Sequence, residues 1–220
     1  MTFRSRKQGS MDLNRLNLIR ISISEERLTR YLVVCPGGIS EAIGLYEYNC
    51  RLSEAFYTVL QGFEVCLRNH LHRALSDHFG DLWFSNNDVP LDEKARMKIS
   101  TATARLRARG KAAIGGPMVA ELSLGFWVAL LRKRYDMPLW RVCMHTCFRS
   151  GGAKPNRFAI HQRCHSILQF RNRVAHHEPI WDQDLLSRHR EIIEAIGWMC
   201  ADTALWVQRR SRLPAVALDQ

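Results

Sequence analysis

The stretch that most constrains the fold lies between residues 41 and 78, because it runs for many helical turns without a proline. Apolar side chains recur along it at intervals of three and four residues, which places them on one face of an α-helix. They are Leu45, Tyr48, Leu52, Ala55, Phe56, Val59, Leu60, Phe63, Leu67, Leu71 and Leu75. The pattern predicts one long core helix, capped at Ser40 and kinked near Gly62.

The rest of the chain carries further helical patterns, and no alternating pattern has a convincing length for a β-strand. The predicted helices cover a short segment after Ser24 and residues 91–113, 118–134, 139–148, 156–177 and 184–210. The sequence therefore predicts an all-α fold. We expect a single helical domain over residues 24–210, preceded by a basic arm and a short apolar segment at 1–23 and followed by a tail at 211–220.

The chain is strongly basic, with a formal net charge of +11 and a pI near 9.7. Clustered Lys and Arg bind phosphates chiefly by releasing condensed counterions, so the charge favours a nucleic acid as the partner. The alternative is a basic, solvated surface with no particular ligand. The same two interpretations apply to the basic helix predicted at residues 91–113.

Seven cysteines without a secretory signal pattern favour a reducing cytoplasm over a disulfide framework. No apolar run has the length of a membrane span, so we expect no membrane partner. Several side chains offer ligand atoms for zinc, but none of the cysteines has Cys-x-x-Cys spacing. They are Cys143, His145, Cys147, His161, Cys164 and His165. We expect no metal and no other cofactor.

Polar chemistry is concentrated at residues 170–181, where a predicted core helix finishes. Ile160, Cys164 and Ile167 form an apolar stripe whose next member is Arg171, so the pattern predicts an arginine on a buried face. Such a charge needs an anionic ligand or an internal partner, for which Glu64 and Glu178 are the candidates. The residues alone leave both alternatives open.

His176 lies five residues after Arg171, about 140° around an ideal helix, so the two side chains share no face unless the helix ends. Pro179 forces such an end at about His177. An arginine that holds phosphate and a histidine that moves protons are the minimum for cleaving RNA by attack of its 2'-hydroxyl. That reaction needs both a base and an acid, which a single histidine supplies poorly.

The string from Arg171 to His176 matches the Arg-x4-6-His signature of HEPN domains, and residues 170–180 resemble the form found in Abi-like (abortive infection) bacterial proteins. Residues 63–69, which include Glu64 and Arg68, resemble a second block of that family. The resemblance spans about residues 24–208. It implies a HEPN-type helical bundle with extra helices, in which two chains place both motifs in one cleft.

The resemblance also implies a metal-independent endoribonuclease that acts as a toxin or antiphage effector. By position, Arg171 would stabilise the phosphate, His176 would act as general acid or base, and Asn172 would orient them. Glu64, Arg68, His177 and Glu178 would support the site. The partners implied are RNA, a second copy of the chain, and an antitoxin or regulatory protein.

Two other functions remain open at the level of sequence. A non-catalytic RNA-binding or scaffold protein would keep the basic cleft and use Arg171 only to hold phosphate. A structural interaction module would pair Arg171 with Glu64, would have no affinity for RNA, and would fold poorly without the arginine.

Overall fold

A computed structural model describes residues 12–149 and 155–218, and most of this part of the chain is helical. No strand occurs among these residues, so the predicted all-α fold is confirmed for them. The first eleven residues, which include the predicted basic arm, lie outside the described part.

The helices follow one another as α1 (Leu13–Ile23), α2 (Glu25–Leu32), α3 (Ile39–Phe79), α4 (Glu93–Ala108), α5 (Gly115–Glu121), α6 (Leu124–Ala129), α7 (Arg157–Ala175), α8 (Leu185–Gly197), α9 (Ala201–Arg210) and α10 (Leu213–Leu218). Three short helical turns lie between α6 and α7, at Lys133–Tyr135, Asp136–Trp140 and Met144–Phe148. Part of the segment expected as a C-terminal tail thus forms α10.

Most of the other helices pack against α3, which is 41 residues long. It contacts α1 and α2 at its beginning, α5, α6 and α7 further along, and α8, α9 and α10. Every apolar residue that the sequence pattern assigned to its core face is buried. The long core helix is therefore confirmed, and it positions most of the remaining structure.

Helix caps follow the sequence in most places. The side chains of Ser24, Asn156 and Asp184 each accept a backbone N–H bond from the first turn of α2, α7 and α8. The cap predicted at Ser40 is wrong, because α3 begins earlier, at Ile39, with Gly38 as its N-cap. The Glu41 carboxylate then accepts the N–H of Gly37 at 2.6 Å, which satisfies a donor just ahead of the helix.

Gly62 lies where α9 crosses α3. The helix continues unbroken from Ile39 to Phe79, and Val207 of α9 packs directly onto Gly62. A Cβ atom at this position would lie 2.7 Å from Val207 Cγ2, closer than van der Waals contact allows. The absent side chain therefore lets α9 approach α3.

Three predicted helices are divided in the structure. The one predicted at 118–134 is split into α5 and α6, because Leu122 is extended and its carbonyl accepts the buried indole N–H of Trp127. The one at 184–210 is divided into α8 and α9 at Cys200, whose Sγ caps Thr203 N. Residues 139–148 form separate short turns around Cys143. These breaks depend on side-chain bonds that periodicity does not reveal.

A fully buried Trp83 depends on a neutral histidine of α3. Its indole N–H donates to His72 Nδ1 at 3.0 Å, so Nδ1 must be unprotonated. Burial lowers the pKa of His72 from its ordinary value of 6.5.

None of the helices in the described residues combines the length and apolarity needed to cross a membrane.

We expect Gly62→Ala to destabilise the protein even though alanine favours helix by about 1 kcal/mol, because overpacking at Val207 costs about 1–3 kcal/mol. Urea denaturation measures the change, and the loss should shrink in a Val207→Ala background. Gly125→Ala in α6 is the control, since its new Cβ would meet neighbours only at 3.8 Å and beyond. A Gly62→Ala protein as stable as the wild type would contradict the close crossing.

We expect the stability of the protein to fall as the pH drops below about 6.5, because the folded state binds protons at His72 more weakly than the unfolded state does. Burial lowers the pKa of His161 and His189 in the same direction. His72→Asn keeps an acceptor for Trp83 but cannot titrate. Between pH 7 and 5, the unfolding free energy of this variant should change less steeply with pH than that of the wild type. The two slopes should differ by up to about 1.4 kcal/mol per pH unit. Equal slopes for variant and wild type would contradict the role of His72.

Candidate functional site

Residues 63–69 of α3 and the end of α7 lie against each other. The ring of Phe170 packs edge-on against Phe56, with centroids 4.7 Å apart. Next to this contact, Arg171 Nη2 lies 3.5 Å from Glu64 Oε2. Of the two carboxylates that the sequence offered as partners, Arg171 therefore pairs with Glu64, while Glu178 lies 3.5 Å from the Nε of Arg173.

Arg171 is more exposed than the sequence pattern indicated. The buried stripe of α7 passes from Ile167 to Phe170 and not to Arg171, so the expectation that the arginine interrupts a buried apolar face is wrong. Its side chain is 40% exposed, and that of Glu64 is 21% exposed. An ion pair with this exposure contributes at most about 1 kcal/mol to stability. The arginine is thus held at an accessible surface.

The chain turns sharply at the end of α7, ahead of Pro179 as predicted. The helix ends at Ala175 with His176 as its C-cap, and His177 adopts a left-handed conformation with φ of 56°. Glu178 N–H bonds to the carbonyl of Arg173 at 2.9 Å, which is the hydrogen bond of a Schellman motif. A histidine stands where glycine is the usual residue.

Two residues that the sequence did not single out hold this turn in place. The buried N–H of Ile180 donates to Asn49 Oδ1 of α3 at 2.7 Å. The guanidinium of Arg27 in α2 donates to the carbonyl of His177 at 2.9 Å. The turn that follows α7 is therefore fixed by both α2 and α3.

His176 and Asn172 lie on a different side of α7 from Arg171. His176 is exposed, Asn172 is half-buried, and the His176 N–H bonds to the Asn172 carbonyl at 2.9 Å. Because the C-cap follows α7 almost without a change of path, His176 stays about 140° around the axis from Arg171. The helix end at His176 thus leaves the two residues on different sides of the α7 backbone.

An open cavity of about 850 Å³ lies along α3 in front of Arg171. Four of the predicted site residues line it, namely Glu64, Arg68, Arg171 and His177. Asn172, His176 and Glu178 are not among the described residues that form its wall. We call this the Arg171 cavity.

The charges of the Arg171 cavity are mixed. Arg68, Arg171 and Arg212 contribute positive charge, while Glu54 and Glu64 compensate part of it. Burial raises the pKa of the Cys50 thiol and of the Tyr46 phenol, so both stay neutral at physiological pH. The Nε of Arg68 is buried and has no hydrogen-bond partner in the described residues, so this guanidinium has unused capacity for an acceptor.

A polar stripe on α3 also escaped the sequence interpretation. Its members follow one another at intervals of three and four residues and line the Arg171 cavity beside the apolar core face. They are Tyr46, Cys50, Ser53, Tyr57, Gln61, Glu64 and Arg68. The same helical periodicity that revealed the core would have revealed this second face.

The basic helix α4 is partly engaged with the protein itself. The guanidinium of Arg96 donates to the carbonyls of Asn87 and Val89, at 3.0 and 2.6 Å, and so holds the loop ahead of α4. Arg105 and Arg109 both lie near the carboxylate of Glu121. Part of the positive charge of this segment therefore serves the fold.

Among the described residues, no group of three or more His, Cys, Asp or Glu side chains is arranged to hold a metal ion. The thiols of Cys143 and Cys147 instead donate to the backbone carbonyls of Leu139 and His70. Burial raises the pKa of Cys147 to about 12, which keeps its thiol protonated.

Comparison with known proteins gives one match. A family model described as Abi-like protein matches residues 36–182, which cover α3 to α7 and the turn that follows α7. No curated protein and no solved structure matches the chain. The matched region contains both blocks that meet at the Arg171 cavity.

We expect Arg171→Ala to change the free energy of unfolding by less than about 1 kcal/mol, because the ion pair with Glu64 is partly solvated. Arg157→Ala is the contrasting control. That guanidinium is 14% exposed and bonds to Asp136 and to the carbonyl of Leu131, so its loss should cost about 2 kcal/mol or more. Chemical denaturation of both variants measures the difference. A collapse of folding in Arg171→Ala would favour the purely structural role.

Proposed function

Because the chain belongs to the Abi-like protein family, we propose that it acts in abortive infection as a metal-independent endoribonuclease of the HEPN type, a toxin or antiphage effector. The observation that carries the proposal is the position of Arg171. It is half exposed at the wall of an open cavity, and its only described ion-pair partner is a carboxylate that contributes little to stability. A phosphate can therefore replace Glu64 as the partner of Arg171 at a small cost.

The proposed reaction is an internal displacement at phosphorus. A base removes the proton of the 2'-hydroxyl, whose oxygen attacks the adjacent phosphorus as the bond to the 5'-oxygen breaks. An acid returns a proton to that leaving oxygen, so the products are a 2',3'-cyclic phosphate and a 5'-hydroxyl. His176 is the residue that exchanges protons, and Arg171 stabilises the charge that develops on the phosphate oxygens. Asn172 orients the reacting groups.

The geometry of one chain explains why the proposal includes a homodimer. Within a chain, His176 lies about 140° around α7 from Arg171, so the two side chains leave the helix in different directions. A second copy that packs its α7 against the first would supply the missing arginine and a second histidine, which gives the reaction both its base and its acid. Glu64, Arg68, His177 and Glu178 would then support the shared cleft.

Such a nuclease needs control in the cell. An antitoxin or regulatory protein that covers the exposed end of α7 would block His176 and the dimer contact together. We place the activity in the cytoplasm, where RNA is available and where the cysteines, all of which are free thiols, remain reduced.

The separation of Arg171 from His176 also favours a second candidate, an RNA-binding or scaffold protein without catalysis. A single chain can hold a phosphate at Arg171 and Arg68 while leaving His176 unused. The two candidates differ in a simple respect, since only the nuclease shortens the RNA that it binds.

We expect the wild type to cleave single-stranded RNA in the presence of EDTA. His176→Ala should lower the rate of cleavage by about 10²- to 10⁴-fold, as the loss of a general acid or base does. Arg171→Ala should also remove most of the cleavage activity. His78→Ala on α3 and Arg163→Ala on α7 are matched controls. His78 is exposed, as His176 is, and Arg163 pairs with a carboxylate, that of Glu194, as Arg171 pairs with Glu64. Gel analysis of labelled RNA gives the rates.

The outcomes separate the candidates. Cleavage that needs a metal ion, or that persists in both variants, would contradict the mechanism. Binding without cleavage, with a steep dependence on salt, would favour the scaffold. Sedimentation that finds only monomers at concentrations that cleave RNA would remove the dimeric cleft.

A further inference from the structure

A second cavity, of about 820 Å³, opens at the other end of α7. Aromatic rings and arginines line it together, in particular Trp140, Phe148, Phe158, Arg141 and Arg149. We propose that this cavity binds a nucleotide of single-stranded RNA, with the base against the aromatic rings and the phosphate on the arginines. We call it the Phe158 cavity.

Phe158 gives the cavity an accessible aromatic surface, whereas Phe148 is only 3% exposed and supports Trp140. Phe158 is 59% exposed although it lies in the first turn of a helix that buries its other face. Trp140 is half-buried and faces Phe148, with ring centroids 5.6 Å apart and planes at 34°. A base that stacks on such a platform covers apolar surface that water now contacts, and every base has a face that can stack.

The cations of the cavity divide into two groups. Arg157 is engaged by the fold, since it is 14% exposed and bonds to Asp136 and to the Leu131 carbonyl. Arg141 is 66% exposed and shares Asp136, while Arg149 is exposed and pairs with no acid among the described residues. Asp136, the one carboxylate among the described lining residues, is thus already compensated, which leaves Arg141 and Arg149 for a phosphate.

His145 adds a directional contact. Its Nδ1 lies 3.0 Å from the carbonyl oxygen of Trp140, which can only accept, so Nδ1 carries a hydrogen. In the neutral ring Nε2 then remains an acceptor toward the cavity that His145 lines. The same bond holds the turn that carries Trp140.

The surface that continues from this cavity favours an RNA strand over a free nucleotide. Six residues along α7 follow one another at intervals of four, three, four, three and four. Helical geometry places their side chains on one side of α7, within about 40° of a common line. They are Phe158, Gln162, His165, Gln169, Asn172 and His176. The line runs for about 27 Å from the Phe158 cavity to His176, so a bound strand has a hydrogen-bonding path toward that residue. The choice of RNA rests on the proposed function.

The test measures binding separately from cleavage. A fluorescent single-stranded RNA with 2'-O-methyl groups cannot be cleaved by 2'-hydroxyl attack, and its anisotropy reports affinity. We expect Phe158→Ala to weaken binding by about 5- to 100-fold and Phe158→Trp to preserve it. Arg149→Ala should weaken binding and lower the slope of log affinity against log salt by about 0.7.

Matched controls make the result specific. Trp206 of α9 is also 59% exposed, and Arg190 of α8 is also exposed, so Trp206→Ala and Arg190→Ala should bind as the wild type does. Wild-type affinity in both Phe158→Ala and Arg149→Ala would overturn the inference, as would an equal loss in Trp206→Ala. If uridine monophosphate saturates the site with the affinity of the strand, the ligand is a free nucleotide and the RNA assignment is wrong.

The two proposals fail in different ways. With unmodified RNA, Phe158→Ala should raise KM and leave kcat near the wild-type value, whereas His176→Ala should lower kcat. Binding that depends on Phe158 in a protein that never cleaves RNA would retain this site and reject the nuclease. Cleavage that depends on His176, with a KM that does not change in Phe158→Ala, would retain the nuclease and reject this site.

Discussion

The burial of one long apolar face on α3 is the constraint on which the rest of the structure depends. Helices from both ends of the chain pack onto that face, and Gly62 lets α9 approach it closely at Val207. The Phe56–Phe170 contact sets α7 against the same helix, while Asn49 fixes the turn after it. The position of Arg171 beside Glu64 is therefore a consequence of core packing, and the ion pair itself contributes little to stability.

The arginines fall into two groups: those that bond to other parts of the fold, and those that are exposed and can bind a ligand. Arg96, Arg157 and Arg27 donate to backbone carbonyls and hold loops in place, so much of the charge at those positions is used within the fold. Arg141, Arg149 and Arg171 are at least partly exposed and lie at cavities. A net charge of +11 therefore overstates the charge that is free for a polyanion, and its distribution is more informative than its sum.

Periodicity and caps were sufficient to predict α3, the all-α class and the starts of α2, α7 and α8, because these features depend on local sequence. The breaks at Leu122 and Cys200 were missed, since they depend on side-chain bonds formed only within the folded chain. The burial of Arg171 was wrong for a similar reason. The stripe of α7 could continue at three or at four residues, and the contact between Phe170 and Phe56 decides between them. The roles assigned to Arg171, Asn172 and His176 stay predictions.

His176 and Arg171 lie on different sides of α7, and each side leads to a different cavity. An RNA strand that follows the line from Phe158 reaches His176 of its own chain, whereas Arg171 of that chain faces α3 and the other cavity. In the proposed dimer, the arginine that contacts the same phosphate would come from the second copy. In that arrangement the Phe158 cavity selects the strand, and dimer formation completes the chemistry. RNA binding and cleavage would then depend on different ends of one helix, and separate substitutions should distinguish them.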